Sequence, residues 1–594
     1  MKTLYAALVF VFISVIAFNC QKEARTIGGN SQVPGNGNNT ITASPVNSTL
    51  QGNVWDENGK PAKDVSIKVG AVLTTTDDKG YFRIDNASLD KSASLVTAIK
   101  TGYFKAYRSF SATSGVNQVM IRLIKKGSAG VIKSDAGGQV TLSNGSVIAL
   151  PANGIVRSGS AYNGNVNVYA SYIDPVSAEI GERVPGSFIA TDKDNKLVTL
   201  SSYGMLAVEL ESATGEKLQL ANGSTATLTI PVPASIQSTA PSTIPLWYLD
   251  EQTGIWKEEG SAVKNGNAYT GTVKHFSYWN ADVSVPTVGF TATLKTPGGE
   301  PLTSTYVRFR AANGYVGNAY GVTDSLGQVS GFIPSNMNLV MEVLNSCHTI
   351  AYSQNVGPFA SAVNLGTITI SNSVSLITIK GKLSGCSNTV VANGHALIRF
   401  DNIVRNVDAN SSGEFSVTFT ICSSAPATCE ITGYDDAAAQ QGSTSNVTVT
   451  TPVTDAGTLS ACGISTVQFI NYTLDGTNYS LSSSASDSLM AYTSTPGIVL
   501  PVKMWIMGAR NPDKYVNLTF GSNTAPGTYP MNGKMYINNY SRIGIIEPFN
   551  VIITSFPQVV GGYFEGSFSG QFKDTANLSV IHDINATFRL ARNF

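Results

Sequence analysis

The sequence has few charged residues. Asp, Glu, Lys and Arg together account for 13% of its 594 residues, whereas about 25% is usual for a soluble domain. The 39 basic residues balance the 39 acidic ones, and no cluster of Lys and Arg stands out. A nucleic-acid partner requires such a cluster to neutralise phosphates, so the sequence predicts no nucleic-acid binding.

Motifs for catalysis and for cofactors are also missing. The sequence has no G-x-S-x-G or H-E-x-x-H motif, no C-x-x-C pair and no Gly-rich nucleotide loop. These absences exclude the common hydrolase, zinc and nucleotide signatures. The four histidines lie far apart in the chain: His275, His348, His395 and His582. We therefore expect no cofactor and no metal ion, and we interpret the chain as a protein that is not an enzyme.

Long apolar runs are limited to the beginning of the chain. Leu4 to Phe18 form an uncharged apolar stretch of 15 residues after a basic start at Lys2. This length suits a signal peptide better than a membrane-spanning helix, which needs about 20 residues. Asn19 and Cys20 follow directly. No other segment is long and apolar enough to be predicted as a membrane span.

A signal segment that ends in a cysteine resembles the signals of Bacteroidetes-type surface lipoproteins. The resemblance implies that 1–19 is removed, that Cys20 becomes the lipidated N-terminus, and that this anchor holds the chain in the outer membrane at the cell surface. Residues 20–47 are rich in Gly, Asn, Ser and Pro and are expected to form a flexible tether. Asn19 departs from the small residue usual before the cysteine, so ordinary signal cleavage near an incidental Cys20 is the alternative.

What the chain has in abundance is the chemistry of turns and strands. Its 56 glycines and 24 prolines separate short apolar runs throughout, and Ser, Thr and Asn supply most of the polar surface. This pattern is typical of an all-β chain, and the length predicts about three to six domains. We therefore predict tandem β-sandwich domains of the transthyretin or immunoglobulin type.

Three segments share one layout. The sequences TTTDDKGYFRI, GVTDSLGQVSGFI and NVDANSSGEFSVTF each place an Asp shortly before Gly80, Gly327 or Gly413, and an apolar strand follows. Asp can cap such a turn, and Gly supplies a positive φ. These segments resemble the carboxypeptidase regulatory-like domain, a transthyretin-like sandwich, which implies domains that space, pack or bind. Their predicted bounds are 48–126, 285–371 and 372–463.

Two further regions depart from this layout. The region 127–284 opens with GGQVTLSNGSVIALPANGIV and closes near HFSYWN, and it resembles ZU5-like domains. The region 464–594 contains alternating aromatic-rich runs such as GGYFEGSFSGQF, which predict a closing β-domain. We expect ligand specificity in this last domain, because it lies farthest from the anchor and breaks the repeat.

One triplet in the ZU5-like region is a candidate catalytic site. Self-cleaving domains of this type cut between Phe and Ser at such a sequence. The resemblance thus assigns His275 as the base, Phe276 as the residue whose carbonyl is attacked, and Ser277 as the nucleophile. The alternative is an alternating closing strand, with Phe276 and Tyr278 on one face and Ser277 and Trp279 on the other. The sequence favours the strand.

Five cysteines besides Cys20 lie in the second half of the chain, where an exported location permits disulfides. An odd number leaves at least one of them free or paired outside the chain, and the sequence leaves the pairing open. They are Cys347, Cys386, Cys422, Cys429 and Cys462.

The architecture favours a membrane-anchored surface protein for non-catalytic binding, adhesion or scaffolding, with a glycan or an envelope or extracellular protein as partner. The alternatives are a self-cleaving protein and a surface glycan-processing hydrolase built from ordinary carboxylates. Exposed tryptophans would offer stacking surfaces for sugars, although most are expected in the core. The five tryptophans are Trp55, Trp247, Trp256, Trp279 and Trp505.

Overall fold

The computed structural model describes residues 41–592, with gaps at 42, 314–317, 371–375, 401–402, 422–427, 484–486, 494–501, 512, 541–542, 558–561 and 575–576. The predicted signal peptide, Cys20 and Cys422 lie outside the described residues. The described part of the chain contains 46 strands, one short α-helix and two 3₁₀ turns. The prediction of an all-β protein with tandem β-sandwiches is therefore confirmed. No helix in this described part is both long and apolar enough to cross a membrane.

Module A comprises the first seven strands: β1 (Pro45–Trp55), β2 (Ser66–Val69), β3 (Val72–Thr75), β4 (Tyr81–Asp90), β5 (Ser94–Ile99), β6 (Ala106–Phe110) and β7 (Asn117–Arg122). One sheet has the order β4-β1-β7, with β1 and β7 parallel, and the other has the order β3-β2-β5-β6. Apolar side chains from both sheets, Leu50, Ile67 and Val96 among them, fill the space between. Strand β1 begins within the last residues of the predicted tether.

Module B follows with α1 (Ile180–Arg183), a 3₁₀ turn (Ala234–Thr239) and the strands β8 (Ser128–Lys133), β9 (Gly138–Thr141), β10 (Val147–Leu150), β11 (Ile155–Arg157), β12 (Ser160–Ala161), β13 (Asn165–Ile173), β14 (Ile189–Thr191), β15 (Leu197–Glu211), β16 (Lys217–Leu220), β17 (Ala226–Pro231), β18 (Thr243–Asp250), β19 (Ile255–Asn265), β20 (Ala268–Val273) and β21 (Tyr278–Lys295). Its side chains fill one core of their own and a second core that they share with Phe104, Tyr107 and Ile124 of module A. Because successive strand residues point to opposite faces, Leu246 enters one core and Trp247 the other.

Module C begins on the same strand that ends module B. The 18-residue strand β21 crosses the predicted domain boundary at 284/285, so no linker separates the two modules. The remaining strands are β22 (Tyr306–Ala311), β23 (Ala319–Val322), β24 (Gln328–Pro334), β25 (Leu339–Leu344), β26 (Ile350–Val356) and β27 (Val363–Thr369). The sheets β24-β21-β27, with β21 and β27 parallel, and β23-β22-β25-β26 reproduce the strand order of module A.

Module D has the same plan. Its strands are β28 (Leu376–Ser384), β29 (Gly394–Phe400), β30 (Ile403–Asp408), β31 (Glu414–Thr420), β32 (Thr428–Asp435), β33 (Gln440–Gln441), β34 (Ser445–Thr448), β35 (Val453–Ser460) and β36 (Ile464–Ser465), with a 3₁₀ turn at Cys386–Asn388. One sheet is β31-β28-β35, again with a parallel pair, and the other begins β30-β29-β32. Modules A, C and D are therefore three copies of one topology.

The turn that marks the repeat has the same geometry in all three copies. The Oδ1 atoms of Asp77 and Asp324 each accept the backbone N–H groups two and four residues later. In module D, Asn410 makes these two bonds, so the Asp408 expected from the sequence pattern is not the capping residue. At Gly327 φ is +74°, and a Cβ there would lie 2.4 Å from the Leu294 carbonyl oxygen. The position therefore requires glycine.

Module E closes the chain with β37 (Phe469–Leu474), β38 (Thr477–Ser482), β39 (Ser488–Thr493), β40 (Val502–Asn511), β41 (Lys514–Ser522), β42 (Gly527–Pro530), β43 (Met535–Ile537), β44 (Ile543–Ser555), β45 (Tyr563–Asp574) and β46 (Asn577–Ala591). A sheet with the order β38-β37-β46-β45-β44-β42 faces a sheet with the order β39-β40-β41-β43. The core between them is rich in aromatic side chains, including Phe549, Phe568 and Phe588.

Candidate functional site

The predicted cleavage triplet lies in a bend between β20 and β21 rather than within a strand. Phe276 is buried in the same core as Trp279, whereas Tyr278 packs in the other core of module B. The expected alternation, with Phe276 and Tyr278 on one face, is therefore wrong. The bend takes Phe276 out of the register of β21.

The backbone of Phe276 is held by one side chain. Gln219 Oε1 accepts the Phe276 N–H at 2.7 Å, and Gln219 Nε2 donates to the Phe276 carbonyl oxygen at 3.0 Å. The carbonyl that self-cleavage would attack is thus an acceptor in a paired amide contact. This contact fixes the bend against β16.

The His275 ring packs on aromatic neighbours. Its centroid lies 4.7 Å from that of Tyr248 and 5.1 Å from that of Trp279, and burial lowers the pKa of His275. The Ser277 hydroxyl donates to the Tyr278 carbonyl at 3.0 Å. No hydrogen bond joins His275 to Ser277, both of which are described residues, so the structure does not pair this base with this nucleophile.

The tryptophans of module B are core residues. Trp247, Trp256 and Trp279 are fully buried, and each indole N–H donates to a backbone carbonyl. Trp55 is 8% exposed, and Trp505 is half-buried. The three buried tryptophans present no exposed ring to a sugar.

Three buried polar side chains, one on β15 and two at the start of β21, form a hydrogen-bonded group close to the triplet. Asn280 and Asp282 are fully buried, and Ser202 is 1% exposed. Ser202 Oγ donates to Asn280 Oδ1 at 2.6 Å, and Asn280 Nδ2 donates to Asp282 Oδ2 at 2.5 Å. Burial raises the pKa of Asp282 well above its ordinary value, against the opposing effect of these hydrogen bonds.

Three of the described cysteines in the second half are in disulfides. Cys386 and Cys462 form a disulfide that closes module D across a sequence separation of 76, and Cys347 is also disulfide-bonded. Cys429 is a buried free thiol, and burial raises its pKa. One unpaired cysteine is what an odd number in the second half requires.

Two of the remaining histidines each contact one aspartate. His395 Nδ1 lies 2.9 Å from Asp436 Oδ2 in module D, and His582 Nδ1 lies 2.7 Å from Asp475 Oδ2 in module E. Among the described residues, no group of three or more His, Cys, Asp and Glu side chains could hold a metal ion. These pairs tie neighbouring strands and turns together.

The fourth histidine belongs to a junction between modules. Glu182 of module B, 3% exposed, contacts module A through Arg122 Nε at 3.0 Å and module C through His348 Nε2 at 2.8 Å. The Glu182 carbonyl also accepts a 2.6 Å hydrogen bond from Arg108 Nη2 of module A. A single short helix thus presents one carboxylate and one carbonyl to two other modules.

The ionisation of Glu182 depends on these partners. Burial alone would raise its pKa, but the contacts with His348 and Arg122 outweigh burial and hold the pKa below its ordinary value of 4.5. The carboxylate is therefore charged at neutral pH, and its charge is neutralised within the junction. Removing it would leave the Arg122 guanidinium without its buried partner.

Module D joins the same junction through Arg405. Its Nη1 atom donates to Asn53 Oδ1 of module A at 2.7 Å. Two ion pairs accompany this contact, Arg83 with Asp408 at 3.5 Å and Arg399 with Asp77 at 3.7 Å. Modules that are distant in the sequence are therefore packed side by side.

The four modules enclose a cleft of about 460 Å³, a volume within the range of small-molecule sites. Module A contributes Trp55 and Arg122, and module B contributes Glu182. Modules C and D contribute His348 and Arg405. The cleft combines an aromatic wall with two guanidinium groups and a single carboxylate.

Sequence reasoning missed this cleft, and it placed ligand specificity in the C-terminal region instead. Arg122, Glu182 and Arg405 carry no motif and are separated by long stretches of chain. Among the residues of the cleft, the sequence singled out His348, as one of four separated histidines, and Trp55, as a candidate stacking surface for sugars. Only the packing of the modules brings them together.

Comparisons with known proteins give limited matches. No protein-family model matches the chain, so the resemblances to carboxypeptidase regulatory-like and ZU5-like domains stay predictions. Cartilage intermediate layer protein 2 of Mus musculus is 26% identical over 156 residues, 25% of this chain and 13% of that protein. The Homo sapiens protein is 29% identical over 126 residues, 20% of this chain and 10% of its own length. The chain thus spans a small fraction of these relatives.

Solved pilin structures match the chain with low identity and low TM-scores. The streptococcal ancillary pilin is 12% identical, with 38% of this chain and 94% of that chain covered and a TM-score of 0.12. BcpA, the major pilin subunit of Bacillus cereus, is 9% identical, with 70% and 99% covered and a TM-score of 0.11. Scores this low provide no basis for inferring a shared function.

Proposed function

We propose that the chain is an exported surface protein, anchored by a lipid on Cys20, that acts as a non-catalytic scaffold and binding platform. The observation that carries this proposal is the junction of modules A to D. Buried contacts such as Glu182 with His348 and Arg405 with Asn53 hold these four modules in one arrangement. A fixed arrangement of this kind displays a ligand-binding cleft at a defined orientation.

The chemistry of the cleft favours binding over hydrolysis. A glycoside hydrolase uses two carboxyl groups that face each other across the scissile bond. Glu182 is the sole carboxylate among the described residues that line the cleft, and it is engaged by Arg122 and His348. An acid held by an ion pair with Arg122 and by a contact with His348 is a poor proton donor, which supports the non-catalytic role.

The curated relatives match only part of this chain. Cartilage intermediate layer protein 2 takes its name from a layer of cartilage, and a quarter of this chain aligns with the mouse protein. The surface location and the adhesion role remain parts of the same proposal.

Intact mass spectrometry of the protein extracted from its native membrane tests the anchor. We expect one species that lacks 1–19 and carries lipid mass on Cys20. A species without lipid would overturn the anchor. Two fragments divided between Phe276 and Ser277 would replace the scaffold with a self-cleaving protein, and Ser277→Ala, which removes the nucleophile, would then restore a single chain.

A glycan panel incubated with the purified full chain tests the non-catalytic role. The proposal predicts that glycans are retained and recovered unchanged. Shortened glycans in the mass spectrum, lost in Glu182→Gln, would instead establish a hydrolase in the cleft.

A further inference from the structure

One buried cation in the four-module junction lacks an acidic partner. Arg405 is 4% exposed, and its Nη1 atom donates to Asn53 Oδ1 and to the Val404 carbonyl. Its Nε atom is buried without a hydrogen-bond partner, and no described carboxylate forms an ion pair with it. Burial lowers the pKa of Arg405 to about 10, which leaves the guanidinium charged at neutral pH. A buried charge without a counter-ion is costly.

The cleft that Arg405 lines is positively charged overall. Arg122 and Arg405 each contribute one positive charge and Glu182 contributes one negative charge, which leaves one net positive charge before any protonation of His348. The Arg122 charge is already matched by Glu182 at 3.0 Å. The excess charge is therefore at Arg405.

The rest of the lining suits a small polar ligand with an apolar face. Trp55 packs with Met120, Tyr306 and Leu344 to form an apolar wall. Thr420 also lines the cleft, and its hydroxyl is a donor and an acceptor. Pockets for small ligands typically combine an apolar lining with a few polar groups that fix orientation.

We propose that this cleft binds a sugar acid of one or two residues, with the ligand carboxylate paired to the Arg405 guanidinium. The inference rests on the proposed binding function and names its ligand class. Arginine is the preferred partner of a carboxylate because its planar fork can donate two parallel hydrogen bonds. The bound carboxylate would supply the counter-ion that the junction lacks, and the sugar ring would lie along the Trp55 wall.

Calorimetric titration of the full chain with D-glucuronate, D-glucose and acetate tests the proposal. Glucuronate is expected to bind, and glucose, which has the same ring without the charge, is expected to bind at least about tenfold more weakly. Equal binding of glucose, or no binding of glucuronate, would overturn the carboxylate contact. Acetate binding as tight as that of glucuronate would overturn the sugar ring as part of the ligand.

Variants separate the role of Arg405 from a general effect on packing. Arg405→Gln is expected to weaken glucuronate binding about tenfold or more, whereas Arg399→Gln, which removes another arginine between modules D and A outside the cleft, should leave it unchanged. Ile403→Trp keeps Arg405 but fills the cleft from its half-buried lining position, and it should also abolish binding. Unchanged binding in a folded Arg405→Gln or Ile403→Trp protein would overturn the site.

The outcomes for ligand and function are distinguishable. If glucuronate does not bind, the proposed ligand class is wrong. A lipid on Cys20 and glycans recovered unchanged would still support the proposed scaffold. Conversely, hydrolysis of glycans in the panel would overturn the non-catalytic role, whatever the calorimetric titration shows.

Discussion

Modules A to D differ from module E in where their ion pairs lie. In the first four modules, ion pairs cross from one module to another, as in Arg122 with Glu182 and Arg83 with Asp408. In module E, Asp475–His582 and Arg589–Glu565 each join strands or turns of the same module. Its aromatic core is likewise internal.

The difference shows what fixes the relative orientation of modules in a chain with few charges. Apolar packing alone is non-directional, so it does not fix how one sandwich sits on another. A buried contact of a charged group, such as Arg122 with Glu182 or Arg405 with Asn53, has a defined geometry and is strongly unfavourable when it is mismatched. Modules A to D therefore share an orientation that their cores alone would not specify, whereas module E has the parts of an independent folding unit. Two unfolding transitions are expected.

The largest effect is expected from Glu182→Ala. The change leaves Arg122 and His348 without their common carboxylate, and we expect the free energy of unfolding of modules A to D to fall by about 3–5 kcal/mol. Differential scanning calorimetry should show the loss in their transition and not in that of module E. Glu216→Ala removes an exposed ion pair with Arg157 and should leave both transitions in place. Equal shifts of the unfolding transition in Glu182→Ala and Glu216→Ala would show that the buried carboxylate contributes no more to stability than the exposed one.

Phe568→Ala tests the independence of module E. Phe568 is 1% exposed and packs between Phe549 and Phe588, and the cavity left by its removal is expected to cost about 3 kcal/mol. The loss should appear in the module E transition alone. Phe290→Ala, an equally buried change in module C, should affect the other transition. A single transition that shifts in both variants would mean that all five modules unfold together.

Gly327→Ala tests the repeated turn. Both Gly327 and Gly366 have positive φ, +74° and +69°, but a Cβ meets the Leu294 carbonyl at 2.4 Å in the first case and has nothing within 4 Å in the second. We expect Gly327→Ala to cost about 2 kcal/mol more than Gly366→Ala in urea unfolding. Similar costs would show that the close backbone approach contributes little.

The smallest effect is a pH dependence inside module B. The pKa of buried Asp282 is raised well above its ordinary 3.8, so the folded chain keeps a proton that the unfolded chain releases above that value. The stability it contributes is complete below pH 3.8 and is lost as pH rises towards the folded pKa. Asp282→Asn mimics the protonated carboxyl, and we expect it to stabilise the protein more at neutral pH than in acid. A gain independent of pH, measured by urea midpoints, would contradict this account.

Short-range features were predictable because their partners are close in sequence. The turn at Asp77 and Gly80 depends on hydrogen bonds over two and four residues, so the residue pattern reveals it. The same reasoning selected Asp408 in module D, where Asn410 makes the bonds. Both side chains can cap this turn, and a pattern that requires Asp overlooks the equivalent Asn.

The alternation of residues between the two faces of a strand predicted the structure at the end of module B less well. The triplet at 275–277 was interpreted as part of a strand, yet Gln219 binds both backbone groups of Phe276 and holds a bend there. Gln219 lies 57 residues away, and its contribution has no local signal. The continuity of β21 through the predicted boundary at 284/285 was missed for a related reason, since strand alternation continues through a change of module.

The sequence by itself determined the all-β class, the repeated turns and the preference for buried aromatic strands, because these follow from backbone φ, local hydrogen bonds and the two-residue period of a strand. Tertiary structure alone decided which charges meet. Arg122, Glu182, His348 and Arg405 come from four modules, and Coulomb interactions act through space rather than along the chain. The cleft and its unmatched guanidinium therefore exist only once the modules are packed together.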